Sequence, residues 1–578
     1  MKGILKWTCI LAVLAILVVS LTAASGGDGR HPFVRRTIVK GAPIHGTNGI
    51  NFDAKDRLHI ASFLGDEIVV MDPQTGKFLD RLGPADGVSG PDDLTFGPDG
   101  SLYWTSLAAG RVGRRTPAGV TTTQLVSPGV NPITFSEDGR LFVALDFFGD
   151  GLYELDPEQI DPPKPIIIAT AANPMPLGFL NGMDFGPDGR LYGPLYTQGK
   201  IISLDVDSCS PVPTNDPWND CDLVTVADGF GVPAAVKFDA HGNLFAVDQV
   251  GLLYQVNVAS GEKSVVAELS PSLDNLAFDS HGRLYVSSAA YGFIVEILPS
   301  NQPRTVSPGG IIAAGGIAVM PRPDGGDSLF TADVWALRQF DGLTGKSLYT
   351  EDSVAALSQI ISPFTVSADG QNLVLTSYIT SKVQVWDPVS HQEVAAYAFP
   401  APLNAIGFQG DVVVADLGMG GVFWASTYAP LISAPSVFVP SGLAATQDDL
   451  YVCDWATGTL WQLYADGLPL TPPRVVTFGL SFPEGMAVDT DGSLLVVETG
   501  KGQVTRVDPA TGDMTPWLGG LEIGMQTNDM PPTFIFNGIA VGSGGEVYIS
   551  SDFDNAIYRI WPLPKQTDQL GSNTRRIK

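Results

Sequence analysis

The stretch Leu180-Asn181-Gly182-Met183-Asp184-Phe185-Gly186-Pro187-Asp188-Gly189-Arg190-Leu191-Tyr192 is repeated, with changes, along the whole chain. It returns as Asn48-Gly49-Ile50-Asn51-Phe52 running into Arg57-Leu58. A further copy is Pro91-Asp92-Asp93-Leu94-Thr95-Phe96 running into Gly100-Ser101-Leu102-Tyr103. Another is Asn537-Gly538-Ile539-Ala540-Val541 running into Gly545-Glu546-Val547-Tyr548. Each copy reads as an alternating strand, a tight Asp-Gly type turn and a second apolar strand. A third strand such as Ile201-Ile202-Ser203-Leu204-Asp205 and a fourth such as Leu223-Val224-Thr225-Val226 follow. Four short strands per repeat, recurring roughly every 37–53 residues, are the pattern of propeller blades.

Aligned on the first strand, the copies number about twelve. Their opening residues are Asn48, Asp92, Asn131, Asn181, Ala234 and Asp274, then Gly315, Ser362, Asn404, Ser441, Glu484 and Asn537. A single ring usually holds four to eight blades, so the expectation is an all-β chain of two consecutive six-bladed β-propellers. The expected boundaries are 32–312 and 313–565, joined at a Gly-rich seam from Pro308 to Ala314. Phe33 to Val39 reads as an outer strand that closes the first ring on its last blade. Residues 566–578 form a polar tail.

With 578 residues the chain has room for two large cores, and Gly 65 and Pro 44 suit a protein that turns every few residues. A formal charge of −28 argues against nucleic acid and anionic membrane surfaces. Residues 1–25 have the form of a signal peptide: Lys2 and Lys6, an apolar run from Cys9, and small residues at Thr22-Ala23-Ala24. No later segment is apolar enough to cross a bilayer as a helix. The expectation is an exported protein, periplasmic or extracellular, off the membrane after cleavage and monomeric. Export permits a disulfide between Cys209 and Cys221, which flank a Pro/Asn/Asp-rich loop with no His nearby for a metal site. Cys453 reads as a packed strand residue.

In a propeller the innermost strand starts at the face carrying the blade-to-blade connections, so the opening residues ring the channel mouth. In the first ring, Asn48, Asp92, Asn131, Asn181 and Asp274, with Asn275 adjacent, offer oxygen ligands, and Ala234 does not. Calcium takes six to eight oxygens in a flexible geometry, and neutral amides relieve repulsion among carboxylates. Such an ion polarises a carbonyl or activates water. Asn and Asp at strand starts also cap turns through their side chains, which is the competing reading. The second ring is poorer, with Asn404, Glu484 and Asn537 as its candidates. His45, on the connection into the first mouth, is the candidate for proton transfer, although a loop histidine without function fits equally. Asp489-Thr490-Asp491-Gly492 reads as a hairpin turn, since no glutamate completes a calcium loop. Phe147, Phe148 and Tyr291 are expected to wall the first mouth. The long connection Leu521 to Phe536, with Met525, Met530 and Phe534, reads as a lid or as a packing insert between propellers.

The repeats, above all Asn181-Gly182 followed by Pro187-Asp188-Gly189-Arg190-Leu191-Tyr192, resemble the superfamily of regucalcin-like gluconolactonases, paraoxonase-type lactonases and NHL-repeat propellers, once per half. In its hydrolytic members a mouth calcium is held by a Glu of the first blade, Asn residues of the third and fourth, and an Asp of the fifth. Asn131 and Asn181 match the two Asn positions in type and blade order. The Glu position falls on Asn48 and the Asp position on Ala234, while Asp274-Asn275 resembles a paraoxonase Asp-Asn pair one blade late. The resemblance implies the six-bladed fold and a calcium-dependent lactonase or esterase acting on a small molecule. In that scheme Asp92 and Asp274 supply the charge, and Asp274 joins His45 as a catalytic group. The alternative is a non-catalytic propeller binding a protein, glycan or envelope component as surface ligand.

Overall fold

Alternating apolar residues and Gly-containing turns give each repeat one antiparallel sheet. Blade 5, for example, is Pro233–Phe238, Leu244–Asp248, Leu252–Val256 and Lys263–Glu268 in spatial order. The computed structural model describes residues 23–24, 33–171, 173–210, 221–526 and 535–562. Among these are twelve such sheets and no α-helix. The rest of the expected leader, the polar tail, Met530 and Phe534 lie outside the described residues. Packing is from blade to blade: Ala235, Val247 and Leu253 of blade 5 bury themselves against Leu276, Val286 and Val295 of blade 6. The two inner strands are therefore apolar on both faces, whereas the outermost strand alternates and meets solvent.

Two rings result, each closing on itself. The inner strand of blade 1, Ile50–Phe52, packs beside Leu273–Phe278 of blade 6, and Ser287 Oγ donates to the Asn48 carbonyl across that joint at 2.7 Å. In the second ring Ile539–Val541 of blade 12 packs beside Ile317–Pro321 of blade 7, and Tyr548 donates to the Gly342 carbonyl at 3.1 Å.

The opening strand departs from expectation. Phe33–Lys40 does not close the first ring. It pairs antiparallel with Ala556–Pro562 and forms the fourth strand of blade 12, in the second ring, with the two-residue strand Ala23–Ala24 at its outer edge. A first unit beginning at residue 32 thus gives its opening strand to the other propeller. The reason is burial: Val39 joins Ile311, Ile317, Phe340, Tyr548 and Ile557 in an apolar cluster of the second ring. The chain crosses between rings twice, and the crossings touch. Ala42 N–H donates to the Ile311 carbonyl at 2.8 Å, and Gly41 N–H to the Asn555 carbonyl at 2.7 Å. A Cβ on Gly310 would meet the backbone of Gly41 at 2.9 Å, which is why glycine occupies both crossings.

Removing the chain up to Lys40 deletes no strand of the first ring. By hydrogen exchange we expect the amides of Val547–Ser551 and Ala556–Pro562 to lose protection while blades 1–6 keep theirs. Selective loss in blade 6 would instead restore the closure expected from sequence.

Candidate functional site

The inner strands start so close to the axis that the residue after several mouth positions has little room. A Cβ on Gly485 would lie 2.5 Å from the Asn537 carbonyl, and one on Gly182 would collide with Ala235. The recurrent Gly of Asn-Gly is therefore required by the neighbouring blade, and its predecessor is left facing the mouth.

In the first ring that position carries Asn48, Asp92, Asn131, Asn181, Ala234 and Asp274, as expected. Their states differ. Asn48 donates Nδ2 to Asp92 Oδ1 at 3.2 Å and leaves a buried Oδ1 without a partner. Asn131 donates Nδ2 to Asp146 Oδ2 at 2.8 Å. Asn181 spends its Oδ1 on the N–H of Gly182 at 2.8 Å, the capping role. Asn275 is a strut: its Nδ2 holds Asp93 Oδ1 at 3.0 Å and its Oδ1 accepts the N–H of Leu276 at 2.8 Å. Asp274 is half-buried beside Asp92 and Asp93.

Asp146 and Asp93 were not singled out from sequence. Asp146 follows the second strand of blade 3, Leu141–Leu145. Carboxylates near this place in other blades are latches on backbone N–H groups of the incoming connection. Asp248 takes Gly231 and Val232, Asp333 takes Ile312 and Ala313, and Asp454 takes Phe438 and Val439, at 2.7–3.1 Å. Asp150 accepts instead from Leu177 and Gly178, in the connection from blade 3 to blade 4. Asp146 accepts from Asn131 rather than from a backbone N–H, and its Oδ1 is buried without a partner.

Electrostatics follow from this crowding. Burial, then the Asp93 carboxylate, pushes Asp92 up to about 7. Burial, then Asp92, holds Asp146 well above the usual carboxylate range, and burial, then Asp92 and Asp93, does the same to Asp274. Asp93 rises to about 6 by burial, opposed by Lys237 and by the N–H groups of Ile133 and Leu94. No Lys or Arg is among the charges acting on Asp92 or Asp274. Beside them stand Tyr196, donating to Gln249 Oε1 at 2.7 Å, and Phe147, whose ring lies 5.5 Å from Phe179 and 5.6 Å from Tyr196. Phe147 and Phe179 both have left-handed backbone, with φ of 54° and 65°.

Other candidates are placed elsewhere. His45 is half-buried in the seam between rings, 2.7 Å from the Asp552 carbonyl, and desolvation lowers its pKa; the charges acting on it are Arg81 and Asp554. Tyr291, expected at the first mouth, also lies in the seam. It donates to Asp352 at 3.0 Å and carries the Arg338 guanidinium 4.9 Å over its ring. Ile535, from the long connection before blade 12, packs in the seam with Ala42, Leu64 and Phe364, so this part is a packing insert. Cys209 and Cys221 form a disulfide, and Cys453 is buried. Asp489 and Asp491 pair with Arg506, consistent with a turn.

In the second ring the mouth positions are Gly315, Phe364, Leu403, Ser441, Glu484 and Asn537. The backbone register puts Phe364 and Leu403 where Ser362 and Asn404 were expected: Gly316 N–H reaches the Phe364 carbonyl as Gly49 N–H reaches that of Asp92. Asn404 lines the channel one residue deeper.

No protein-family model and no curated protein matches the chain. Among solved structures it is similar to virginiamycin B lyase from Staphylococcus aureus: 14% identical, TM-score 0.35, covering 52% of this chain and 96% of that one. A gluconolactonase from Xanthomonas campestris is 13% identical, TM-score 0.33, covering 46% and 92%. The extracellular domain of a one-component system from B. thetaiotaomicron is 12% identical, TM-score 0.30, covering 92% and 78%. These are likenesses of fold. The chain is a tandem six-bladed propeller.

The raised carboxylates set a pH dependence in the cation-free protein. Each binds its proton more tightly folded than unfolded, so stability falls as pH rises from about 4 toward 7. Asp92→Asn should recover on the order of 2 kcal/mol at pH 7.5 in chelator, read by denaturant unfolding. A variant less stable than the parent there would contradict the assignment.

Proposed function

We propose that the first mouth holds a calcium ion and hydrolyses a lactone or related ester in an exported protein. The observation that carries this reading is the meeting of Asp92, Asp146 and Asp274 with no cationic side chain to offset Asp92 and Asp274, beside the unpartnered oxygens Asn48 Oδ1 and Asp146 Oδ1. Carboxylates so crowded stay protonated alone and ionise against a cation. Among the described residues no three His, Cys, Asp or Glu side chains could hold a metal by themselves. The fit therefore requires amide oxygens, from Asn48 and Asn131, in addition to Asp92 and Asp274. Asp146 fixes the Asn131 amide and is the mouth's remaining carboxylate for moving a proton, a role His45 is too far into the seam to take.

The ion, when bound, would polarise the substrate carbonyl and lower the pKa of water. The chain's own part is to orient and exclude solvent. Phe147 and Phe179 form an apolar wall beside the ring, and Tyr196, fixed by Gln249, offers a hydroxyl at its edge. The Cys209–Cys221 disulfide supports export. Ala234, standing where the resembling hydrolases place an Asp, favours the second reading, a non-catalytic binding propeller.

Calcium added to chelated protein should stabilise it by about 2.7 kcal/mol at a hundredfold excess over Kd. A lactone and aryl-ester panel should then show turnover, reduced at least about a hundredfold in Asp274→Ala together with the calcium response. Stabilisation without turnover would favour the binding propeller, and neither would dismiss the metal site.

A further inference from the structure

The second propeller has its own mouth, built from different chemistry. Phe482 stands there half exposed, in left-handed backbone with φ 48°, and its ring stacks on Trp455 at 4.6 Å and 28°. A Cβ on Gly500 would meet the Phe482 ring at 2.7 Å, so glycine in the neighbouring loop makes room for it. Two residues on, Glu484 is fully buried at the channel mouth. Thr499 Oγ1 ties the two together, donating to the Phe482 carbonyl at 2.9 Å and to Glu484 Oε1 at 3.2 Å. Asn537 N–H donates to Glu484 Oε2 at 2.7 Å, and Asn537 Oδ1 accepts from Gly524 at 2.9 Å. Beyond lies a channel of about 330 Å³.

Two donors of this arrangement make no hydrogen bond of normal geometry. Asn537 is wholly buried, and its Nδ2 lies beside Asp552 without a hydrogen bond of normal geometry. The Trp455 indole N–H is likewise buried and unpartnered against Glu484. Unsatisfied donors of this kind are costly and call for oxygen acceptors. Glu484 and Asp552 repel an anion. A stacked, half-exposed aromatic face binds a flat apolar surface. Acceptor oxygens, no negative charge and a face of C–H groups occur together in a pyranose ring.

We propose that the mouth of the second propeller is a ligand site for a neutral sugar residue, stacked on Phe482 and hydrogen-bonded by Asn537. The site is separate from the first mouth and does not depend on the function proposed there.

Saturation-transfer NMR of the full chain against cellotriose, maltotriose, xylotriose, mannotriose and chitotriose, with tetramethylammonium as the cationic comparison, tests this. At least one trisaccharide should bind, and binding should weaken about tenfold or more in Phe482→Ala, survive in Phe482→Tyr and be unchanged in Phe147→Ala at the other mouth. Circular dichroism and the thermal midpoint check that Phe482→Ala folds; its half-exposed position predicts that it does. Binding of no sugar, binding indifferent to Phe482, or preference for tetramethylammonium over every sugar would overturn the proposal.

Discussion

Inner strands converging on each axis are the constraint on which the rest of this protein depends. Six strands cannot approach so closely with a side chain at every position, so glycine recurs where the next blade's backbone passes, as at Gly485 against the Asn537 carbonyl. The residue before it is the one free to face the mouth. Packing geometry, rather than chemistry, thus fixes where chemistry can sit, and the same frame is filled differently in the two rings. Asp92, Asp274 and the amides make the first mouth acidic, while Phe364, Leu403 and Ser441 leave the second largely neutral around Glu484.

A second tier of residues comes from the ends of the second strands, and here stability and function compete for the same carboxylates. Asp248, Asp333 and Asp454 are spent on backbone N–H groups that would otherwise be buried without partners. A recurrent acid at a mouth is therefore no evidence of a site. Asp146 is informative because it accepts from the Asn131 amide rather than from a backbone N–H and leaves one oxygen unpartnered. Its cost is carried by burial near other acids, which is the state a bound cation would relieve.

The rings are joined by more than a linker. The strand that precedes the first ring completes the last blade of the second, and the two crossings lie against each other, pinned by Asn555 Nδ2 on the Ala42 carbonyl at 3.0 Å. Neighbouring apolar residues, Leu64, Ile312, Val334, Phe364 and Ile535 among them, fill the seam. His45 and Tyr291 are part of that junction, which accounts for a histidine and a tyrosine near the mouths that serve neither channel.

The sequence alone determined the repeat, its four strands, the number of blades and their division into two rings, because alternation, turn glycines and spacing are local properties written in every copy. Asn48 and Asn181 were legible as mouth positions because each sits one step before a glycine that crowding requires, and the others of the first ring follow from alignment of the repeats. Tertiary structure decided the rest. Pairing of Phe33–Lys40 with Ala556–Pro562 joins residues more than five hundred positions apart, and edge strands accept any partner with the right register. The seam positions of His45 and Tyr291, the shift from Ser362 to Phe364, and the unpartnered oxygen of Asp146 all depend on which backbone N–H or carbonyl arrives from another blade. That is decided by packing between blades, and no residue type or spacing within one repeat encodes it.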